Sequence, residues 1–350
     1  MATGLSFGNN NRTTDFTTEV ERLDNEYDFV GQVLNFEERT TAHANITFDI
    51  TDKKIVIPQG NKRGAGDFTK GQEKDVTPLN IFLDYIRQED FITKNDFLDY
   101  RLPGTSAVMD NVTAVRLDKF SGLVNNVNNS IEYKRLSAVT GVSKDAYGNV
   151  QADLYTATGT SQTSVDLLLG TASTDVGGLL TGAIRTVGDN FRMGSRIPAM
   201  VCFCGDELFD KLLAHPQTVE ALKYHAAPNE PLRNATGTSE VFGMVNNFTY
   251  KGIRFVNYNP SFNILDANGR DTTTTKAMAD NEGFLVPAGV SDMFRTYWGP
   301  SQQLDAVAGS RIHAKEYISD DGETWKVIIE NADLHFCTNP TAIVRLTTSN

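Results

Sequence analysis

The strongest constraint on the fold of this chain is the stretch from Thr105 to Ala138, whose pattern predicts one long α-helix. Thr105 and Ser106 can cap its start, and Gly141 follows its end. One apolar stripe with helical spacing runs along it, formed by Leu117, Phe120, Val124, Val127 and Ile131. At a rise of about 1.5 Å per residue, about 30 residues span roughly 45 Å. The Asn-rich run "NNVNNS" weakens the helix propensity, so we expect tertiary packing to hold the helix and the stripe to lie in the core.

Other helices and strands follow without a regular β-α-β alternation. A second amphipathic helix is predicted around residues 176–187, and the apolar run "PAMVCFCG" predicts a buried strand. That strand leads into the helical "DELFDKLLAH", with Asp206 as the expected N-cap, and Pro216 separates it from a further helix at "QTVEALKYH". Further strands are predicted at "FTYKGIRFVNYN", "EGFLVPAG" and "TWKVIIENADLHFC". The expected fold class is therefore α+β with mixed strands.

Between Ala44 and Pro58 the chain carries the pattern of a β-hairpin. Apolar residues alternate with polar ones on both sides of the turn-like "TDKK": Ile46, Phe48 and Ile50 precede it, and Ile55 and Ile57 follow it. An isolated two-stranded ribbon is barely stable in water, so we expect this hairpin to need a partner surface. The N-terminal residues, which are polar and rich in Asn and Thr, are expected to form an extended arm that also needs neighbours to order it.

A glycine-rich basic stretch, "VIPQGNKRGAG", overlaps the end of this pattern and contains Lys62 and Arg63. Its glycine spacing fits neither the phosphate-binding P-loop nor the dinucleotide-binding fingerprint, and no helix pattern follows it. We interpret it as the flexible return limb of the hairpin, because glycine imposes little steric limit on such a segment.

The composition excludes several classes of protein. The 350 residues carry a net charge of −12 and no run of Lys or Arg longer than two, which argues against a dedicated nucleic-acid-binding protein. No apolar run is long enough to span a bilayer, and the N-terminus lacks the pattern of a signal peptide. We therefore expect no membrane partner and a cytoplasmic location where the chain is made.

No motif predicts an active site, a metal site or a cofactor. The match to G-x-S-x-G at residues 4–8 leaves no room for the strand that a nucleophile elbow requires, and no H-E-x-x-H occurs. A zinc site is conceivable from four residues, namely Cys202, Cys204, His335 and Cys337. However, C-x-C is weak metal spacing, and buried free cysteines are common. The sequence therefore predicts a protein that is not an enzyme, with no cofactor and no bound metal.

Several segments, from about Tyr27 to the C-terminus, carry a family resemblance together. They are "YDFVGQVLNF", the "RGAG" that ends the hairpin, "ITKNDFLDYRLPGT", "EYKRLSAVTG", "GDELFDKLLAHPQTV", "YKGIRFVNYN", "GFLVPAGVSDMFRTYWGP" and "NPTAIVRL". In this order and spacing they resemble the major capsid proteins of tailed bacteriophages, in the lambda-type (gpE-like) family. No single segment is as specific as a metal-binding motif, so the resemblance depends on the order of all of them.

The resemblance implies the Hong Kong 97 capsid fold and a division of the chain. The implied parts are an N-terminal arm (1–35), an extended β-hairpin or E-loop (36–76), a peripheral domain (77–165) with a spine helix (105–138), an axial domain (166–300) and a return to the peripheral domain (301–350). In that fold the E-loop lies across a neighbouring subunit. The residues expected at this contact are Ile46, Phe48, Ile50, Ile55 and Ile57, with Lys62 and Arg63 meeting acidic neighbours.

The implied function is that of a major capsid protein, which forms the pentamers and hexamers of an icosahedral phage head. Its implied partners are other copies of itself, a separate scaffolding protein, a portal protein and, as in some relatives, a decoration protein. The head encloses packaged double-stranded DNA without binding it specifically. The shell is expected to assemble in the host bacterial cytoplasm before the DNA is packaged. Two alternatives remain at this point: the shell of an encapsulin-like nanocompartment, and a soluble cytoplasmic enzyme.

Overall fold

The structure is a computed structural model that describes residues 14–15, 28–51, 76–93, 96, 112–191, 197–225, 246–265, 270–302, 309–319 and 322–349. Its helices are α1 (Phe29–Leu34), α2 (Val112–Val139), α3 (Leu154–Thr158), α4 (Val176–Asn190), α5 (Asp206–Ala214), α6 (Pro216–His225) and a 3-10 helix (Pro340–Ala342). None of the helices in these ranges is both long and apolar enough to cross a membrane.

The strands, in chain order, belong to two larger sheets and three small ones. They are β1 (Thr14–Asp15), β2 (Glu37–Thr40), β3 (Asn45–Thr51), β4 (Val76–Phe82), β5 (Asp84–Thr93), β6 (Val142–Lys144), β7 (Val150–Asp153), β8 (Thr163–Asp166), β9 (Ala199–Cys204), β10 (Asn247–Tyr250), β11 (Ile253–Asn257), β12 (Phe262–Leu265), β13 (Asp271–Thr275), β14 (Glu282–Ala288), β15 (Phe294–Trp298), β16 (His313–Ile318), β17 (Thr324–Cys337) and β18 (Val344–Thr347). Parallel and antiparallel pairs occur in both larger sheets, which confirms the predicted α+β class with mixed strands.

The predicted long helix is present as α2, and the part of the prediction between residues 105 and 111 lies outside the described residues. Gly141 follows the helix with a φ of +84°, a conformation that favours glycine. Four stripe residues are buried as predicted, namely Phe120, Val124, Val127 and Ile131. Leu117, in contrast, is 49% exposed. At this end of the helix the core contact is made by Val115 and by Arg116, whose guanidinium lies 5.3 Å from the ring of Trp325, so Leu117 remains in solvent.

The first larger sheet is built around β17, the strand that contacts α2. Strand β5 pairs antiparallel with β17 from Thr324↔Thr93 to Asp333↔Asp84. Strands β15 and β16 also pair with β17, β2 extends the sheet beyond β15 in parallel, and β1 extends it beyond β16. Helix α2 buries its stripe against residues of β5, β16 and β17, so the helix and the long strand form one core.

The second larger sheet has the order β10-β11-β9-β14-β18-β8. Its strand β9 is buried on both faces: Val201 and Phe203 pack with α1, and Cys202 and Cys204 pack with α4 and α5. Burial on both faces explains why the sequence of this strand is a continuous apolar run. The C-terminal strand β18 pairs with β14 and β8 and therefore belongs to this sheet.

The predicted N-cap of α5 is wrong by one residue. Gly205, with extended backbone, is the N-cap, and Asp206 is the first helical residue, where its charge favours the helix start. Glycine is required at this N-cap because a Cβ on Gly205 would lie 2.5 Å from the carbonyl oxygens of Ala279 and Asp280.

Only the first strand of the predicted hairpin is confirmed, as β3; its described partner is a strand farther along the chain than the pattern indicated, so the predicted pairing across "TDKK" is wrong. Strand β3 pairs antiparallel with β4, from Asn45↔Phe82 to Thr51↔Val76. Residues 52–75, which include the expected return positions Ile55 and Ile57, lie outside the described residues. The β3–β4 pair is called the ribbon below.

Candidate functional site

The base of the ribbon packs on its own chain. Ile46 and Ile81 face each other across the two strands and lie in one apolar cluster with residues of β7, α3 and β17, namely Ala152, Leu154, Leu334 and Phe336. Ile46 is only 8% exposed. Ile46 is one of the residues expected at a contact between copies, but its side chain is already covered within the chain.

The other expected contact residues lie farther along the ribbon or outside the described residues. The backbones of Phe48 and Ile50 pair with Leu79 and Thr77, so the strand continues beyond the packed base. Four more of these residues lie outside the described ranges: Ile55, Ile57, Lys62 and Arg63. The ribbon therefore has a base held by its own core and a paired extension beyond it.

A buried lysine holds the chain where the ribbon returns to the first sheet. The Nζ atom of Lys134, on α2, lies 2.7 Å from Asp84 Oδ2 and 2.5 Å from Asp333 Oδ1. Asp84 is the first residue of β5, directly after the ribbon, and Asp333 lies on β17. One cation thus joins helix α2, the central strand β17 and β5, the strand that directly follows the ribbon.

The next residue of α2 holds the chain that leads into the ribbon. The Arg135 guanidinium donates to Asp28, immediately before α1, and to Glu38 Oε1 on β2 at 2.7 Å. Its Cζ atom also lies 5.2 Å from the ring centroid of Phe36. The adjacent residues Lys134 and Arg135 therefore hold both segments that flank the ribbon, and we call these two cations and their four carboxylates, Asp28, Glu38, Asp84 and Asp333, the anchor network.

A third charged residue of α2 stabilises the start of α1. One oxygen of Glu132, Oε1, accepts hydrogen bonds from the backbone N–H of Val30 at 3.0 Å and from the Tyr258 hydroxyl at 2.8 Å. Burial raises the pKa of Glu132, and the two hydrogen bonds partly oppose this shift. The carboxyl satisfies an N–H at the start of α1, where helices lack internal partners.

The charges of the anchor network favour ion pairing despite their burial. Burial alone would raise the pKa of Asp333, but the neighbouring Lys134 and His335 lower it to about 2. Burial would lower the pKa of Lys134, but Asp333 and Asp84 outweigh it and raise that pKa. The lysine and the Asp333 carboxylate are therefore ionised together.

A hydroxyl, an imidazole and a carboxylate form a line beside this network. Thr296 Oγ1 lies 2.8 Å from His335 Nδ1, and His335 Nε2 lies 3.0 Å from Asp333 Oδ2. The order matches a nucleophile–His–Asp triad, but all three side chains are fully buried, so a substrate has no access to the hydroxyl. Burial lowers the pKa of His335, with Asp333 opposing, so the imidazole is neutral, donates from Nε2 and accepts from Thr296. The arrangement is a structural hydrogen-bond chain.

We expect His335→Gln to reduce the pH dependence of stability below the ordinary histidine pKa of 6.5. In the unfolded chain His335 gains a proton near that pH, whereas its folded pKa is lower, so the wild-type chain loses stability as pH falls. One proton changes the free energy of unfolding by about 1.4 kcal/mol per pH unit. The contribution of Asp333 to stability is lost only as pH falls from about 4 towards 2, which lies below the pH range of this measurement.

Urea unfolding of the unassembled chain between pH 7.5 and 5 measures this effect. The variant is less stable at pH 7.5 because its buried hydrogen bonds are poorer. The difference in the free energy of unfolding between variant and wild type is expected to become smaller as pH falls. A constant difference across this range contradicts the assignment of a neutral buried imidazole.

The four residues of the conceivable zinc site do not converge. Cys202 and Cys204 face the cluster that contains α4, whereas Cys337 lies in the cluster on the other side of β9, and His335 is engaged by Thr296 and Asp333. Within the described ranges no three His, Cys, Asp or Glu residues are placed to hold a metal ion.

Sequence reasoning missed the anchor network. The helical pattern of "EYKRLS" does not indicate that its three charged residues are buried. A signal was present, because the strand-like "VIIENADLHF" interrupts its apolar pattern with Glu, Asn, Asp and His. Polar residues within a strand that is otherwise apolar indicate buried partners of complementary charge.

Known proteins match nearly the whole length of the chain. The profile of the family described as phage major capsid protein E matches residues 12–348. The major capsid protein of Pseudomonas phage KPP10 is 23% identical over 349 residues, which cover 97% of this chain and 97% of that protein. The major capsid protein of Salmonella phage Felix O1 is 21% identical over 355 residues and 94% of each chain.

Solved structures share the fold. A protein of an Escherichia coli CFT073 prophage, named as a capsid protein, superposes with a TM-score of 0.63 at 13% identity over 97% of this chain and 100% of that chain. The capsid of Cyanophage P-SCSP1u gives a TM-score of 0.53 at 12% identity over 94% of this chain and 90% of that chain. The chain belongs to the phage major capsid protein E family, whose members are structural proteins of the virion and not enzymes.

Proposed function

We propose that copies of this chain form the pentamers and hexamers of an icosahedral phage head that encloses packaged double-stranded DNA. The observation that carries the proposal is the family match over residues 12–348, on a fold shared with solved phage capsids. The ribbon is consistent with this role, because two strands alone are marginally stable and gain stability from a neighbouring surface.

The proposed division of the chain follows the Hong Kong 97 capsid fold. We assign the ribbon to the E-loop and extend it to Phe82, because β4 pairs with β3 up to that residue. Helix α2 is the proposed spine helix, and the first sheet is the core of the proposed peripheral domain. The second sheet is the core of the proposed axial domain, and we extend that domain to the C-terminal strand β18, which the expected division placed in the peripheral domain (301–350).

The proposed partners are further copies of the chain, a scaffolding protein during assembly, a portal protein and, in the mature head, a decoration protein. Assembly takes place in the host bacterial cytoplasm under this proposal. The net charge of −12 supports a shell that encloses DNA without binding it tightly, because like charges repel. The encapsulin and enzyme alternatives are not favoured, since the family and both curated relatives are phage capsid proteins.

Electron microscopy of the chain expressed alone and with the scaffolding protein from the same phage tests the proposal. Closed icosahedral shells are the expected result, and their diameter gives the number of subunits. A monomer or a small defined oligomer under both conditions contradicts the proposed function.

Within this proposal, Phe48→Asp is expected to prevent shell formation while the free chain stays folded. The residue lies on the ribbon beyond the packed base, where a charge would have to be desolvated against a neighbouring subunit. Negative-stain microscopy measures assembly, and the melting temperature of the free chain measures folding. Phe48→Leu, which keeps an apolar side chain, is the matched control and should assemble. Normal shells from Phe48→Asp would remove this residue from the interface.

A further inference from the structure

Within the described ranges, the buried and half-buried lysines are paired with carboxylates, with one exception on β6. The Nζ atoms of Lys134, Lys315 and Lys326 lie 2.5 Å, 3.0 Å and 2.6 Å from carboxylate oxygens. Lys144 is also half-buried, but among the described residues its Nζ atom has one polar neighbour, the carbonyl oxygen of Ala277 at 3.4 Å. The amine of Lys144 is therefore partly removed from water without an anion in contact.

A carboxylate faces this amine from farther away and is already engaged. Glu282, at the start of β14, is the charged group of the described residues that acts on Lys144, and it lies beyond ion-pairing distance. Its Oε1 atom accepts a hydrogen bond from the guanidinium of Arg345 on the neighbouring strand β18. Burial lowers the pKa of Lys144, and the attraction of Glu282 opposes only part of this shift.

These surroundings favour the neutral form of the Lys144 side chain. A positive charge that is partly removed from water costs free energy unless a carboxylate is close to it. The neutral amine has a lone pair and is the form of lysine that acts as a nucleophile. Because one N–H of the amine points to Ala277, the lone pair is directed away from that carbonyl oxygen. The side chain is only half-buried, so a small reagent has access to the nitrogen.

We propose that Lys144 is a site of acylation by small activated acyl donors, namely acyl phosphates and thioesters. The lone pair of Nζ attacks the acyl carbon and forms a C–N bond. The bond from that carbon to the phosphate oxygen or to sulfur breaks, and the leaving group takes the electron pair, while the nitrogen loses one proton to water. The amide product is neutral and keeps one N–H for Ala277, so acylation removes the charge that this site leaves unpaired.

Acetylation of the full chain at two pH values tests this proposal. The chain is treated with acetyl phosphate to low conversion at pH 8 and at pH 10.5. Mass spectrometry of its peptides gives the rate at Lys144 divided by the rate at Lys223, an exposed lysine on α6. We expect this ratio to be at least about twofold larger at pH 8, because an amine with a lowered pKa stays neutral to lower pH than an ordinary lysine does. Accessibility affects the ratio equally at both pH values.

The chain unfolded in urea is the control for this ratio. Both amines are then fully hydrated, so the ratio should be the same at pH 8 and pH 10.5. A ratio in the folded chain that is equal at the two pH values, or smaller at pH 8, overturns the proposal. Circular dichroism shows whether the chain is folded at each pH, and if it unfolds at pH 10.5 the following comparison decides.

Two substitutions at Lys144 test the same property without high pH. Lys144→Gln carries a neutral amide, as the acylated side chain does, whereas Lys144→Arg keeps a positive charge. At pH 7.5 the melting temperature of the free chain is expected to be about 1–3 °C higher for Lys144→Gln than for Lys144→Arg, because a half-buried cation without a carboxylate is poorly solvated. An equal or lower melting temperature for Lys144→Gln contradicts the proposal.

Discussion

Lys134→Met is expected to lower the free energy of unfolding of the unassembled chain by about 3–5 kcal/mol. The lysine is buried and lies within hydrogen-bond distance of both Asp84 and Asp333, and the substitution leaves these carboxylates without their cation. Asp333 has no exposure to water that could compensate, so the penalty of an unpaired buried charge is large.

Urea unfolding at pH 7 measures this change. Lys119→Met is the matched control, because Lys119 also pairs with an aspartate, Asp90, but both side chains are about one-third exposed. Exposed ion pairs contribute about 0–1 kcal/mol, so the control should stay close to wild type. Adding Asp333→Asn to Lys134→Met should restore part of the loss by removing the unpaired charge. Similar losses from Lys134→Met and Lys119→Met would contradict the anchor network.

Gly309→Ala is expected to destabilise the chain by about 3 kcal/mol, at the upper end of the effects of overpacking. A Cβ on Gly309 would lie 2.0 Å from the carbonyl oxygen of Trp298 and 2.9 Å from that of Thr41. Both of these oxygens belong to the backbone, which cannot move aside as a side chain can. The N–H of Thr41 also donates a hydrogen bond to the same Trp298 oxygen at 2.8 Å. The methyl group therefore separates the segment after β2 from the end of β15.

A second glycine substitution provides a control, because its expected change in stability has the opposite sign. Gly182 lies inside α4, and a Cβ there would meet nothing within 4 Å. Gly182→Ala should stabilise the free chain by about 0.5–1 kcal/mol, because alanine loses less conformational entropy in a helix. Thermal unfolding of both variants is the measurement. Destabilisation by Gly182→Ala, or a neutral Gly309→Ala, would contradict the packing described at that position.

The anchor network connects folding to the proposed assembly. Lys134 and Arg135 hold the chain on both sides of the ribbon to the middle of the core, so the direction in which the ribbon leaves the subunit is set by α2. Buried ion pairs contribute little net stability compared with apolar replacements, and we propose that here they hold the ribbon in one arrangement. Under the proposed function, in which the ribbon contacts a neighbouring subunit, the ribbon needs a defined direction because each copy must present the same surface to its neighbour.

The spacing of apolar residues in the sequence was sufficient to predict the helices and strands that are long or buried on both faces. The stripe of α2, the apolar run of β9 and the strand-like end of β17 each extend over enough residues for the pattern to indicate helix or strand. The order of the segments that resemble phage capsid proteins was sufficient to predict the family, and the match over residues 12–348 confirms this prediction. These signals are local, or depend only on order along the chain.

Contacts between residues far apart in the sequence determined the other features of the structure, namely the strand pairing and which side chains are buried. The strand that pairs with β3 begins at Val76, and pairing depends on which surfaces meet in three dimensions rather than on the nearest turn-like sequence. Leu117 continues the stripe but remains exposed, because the core contact at its end of α2 is made by other residues. The burial of Lys134 depends on Asp84 and Asp333, which lie far from it in sequence and are brought to it by the packing of β5 and β17 on α2. A charge can be buried only where tertiary structure supplies its partner, and a sequence pattern contains no distances.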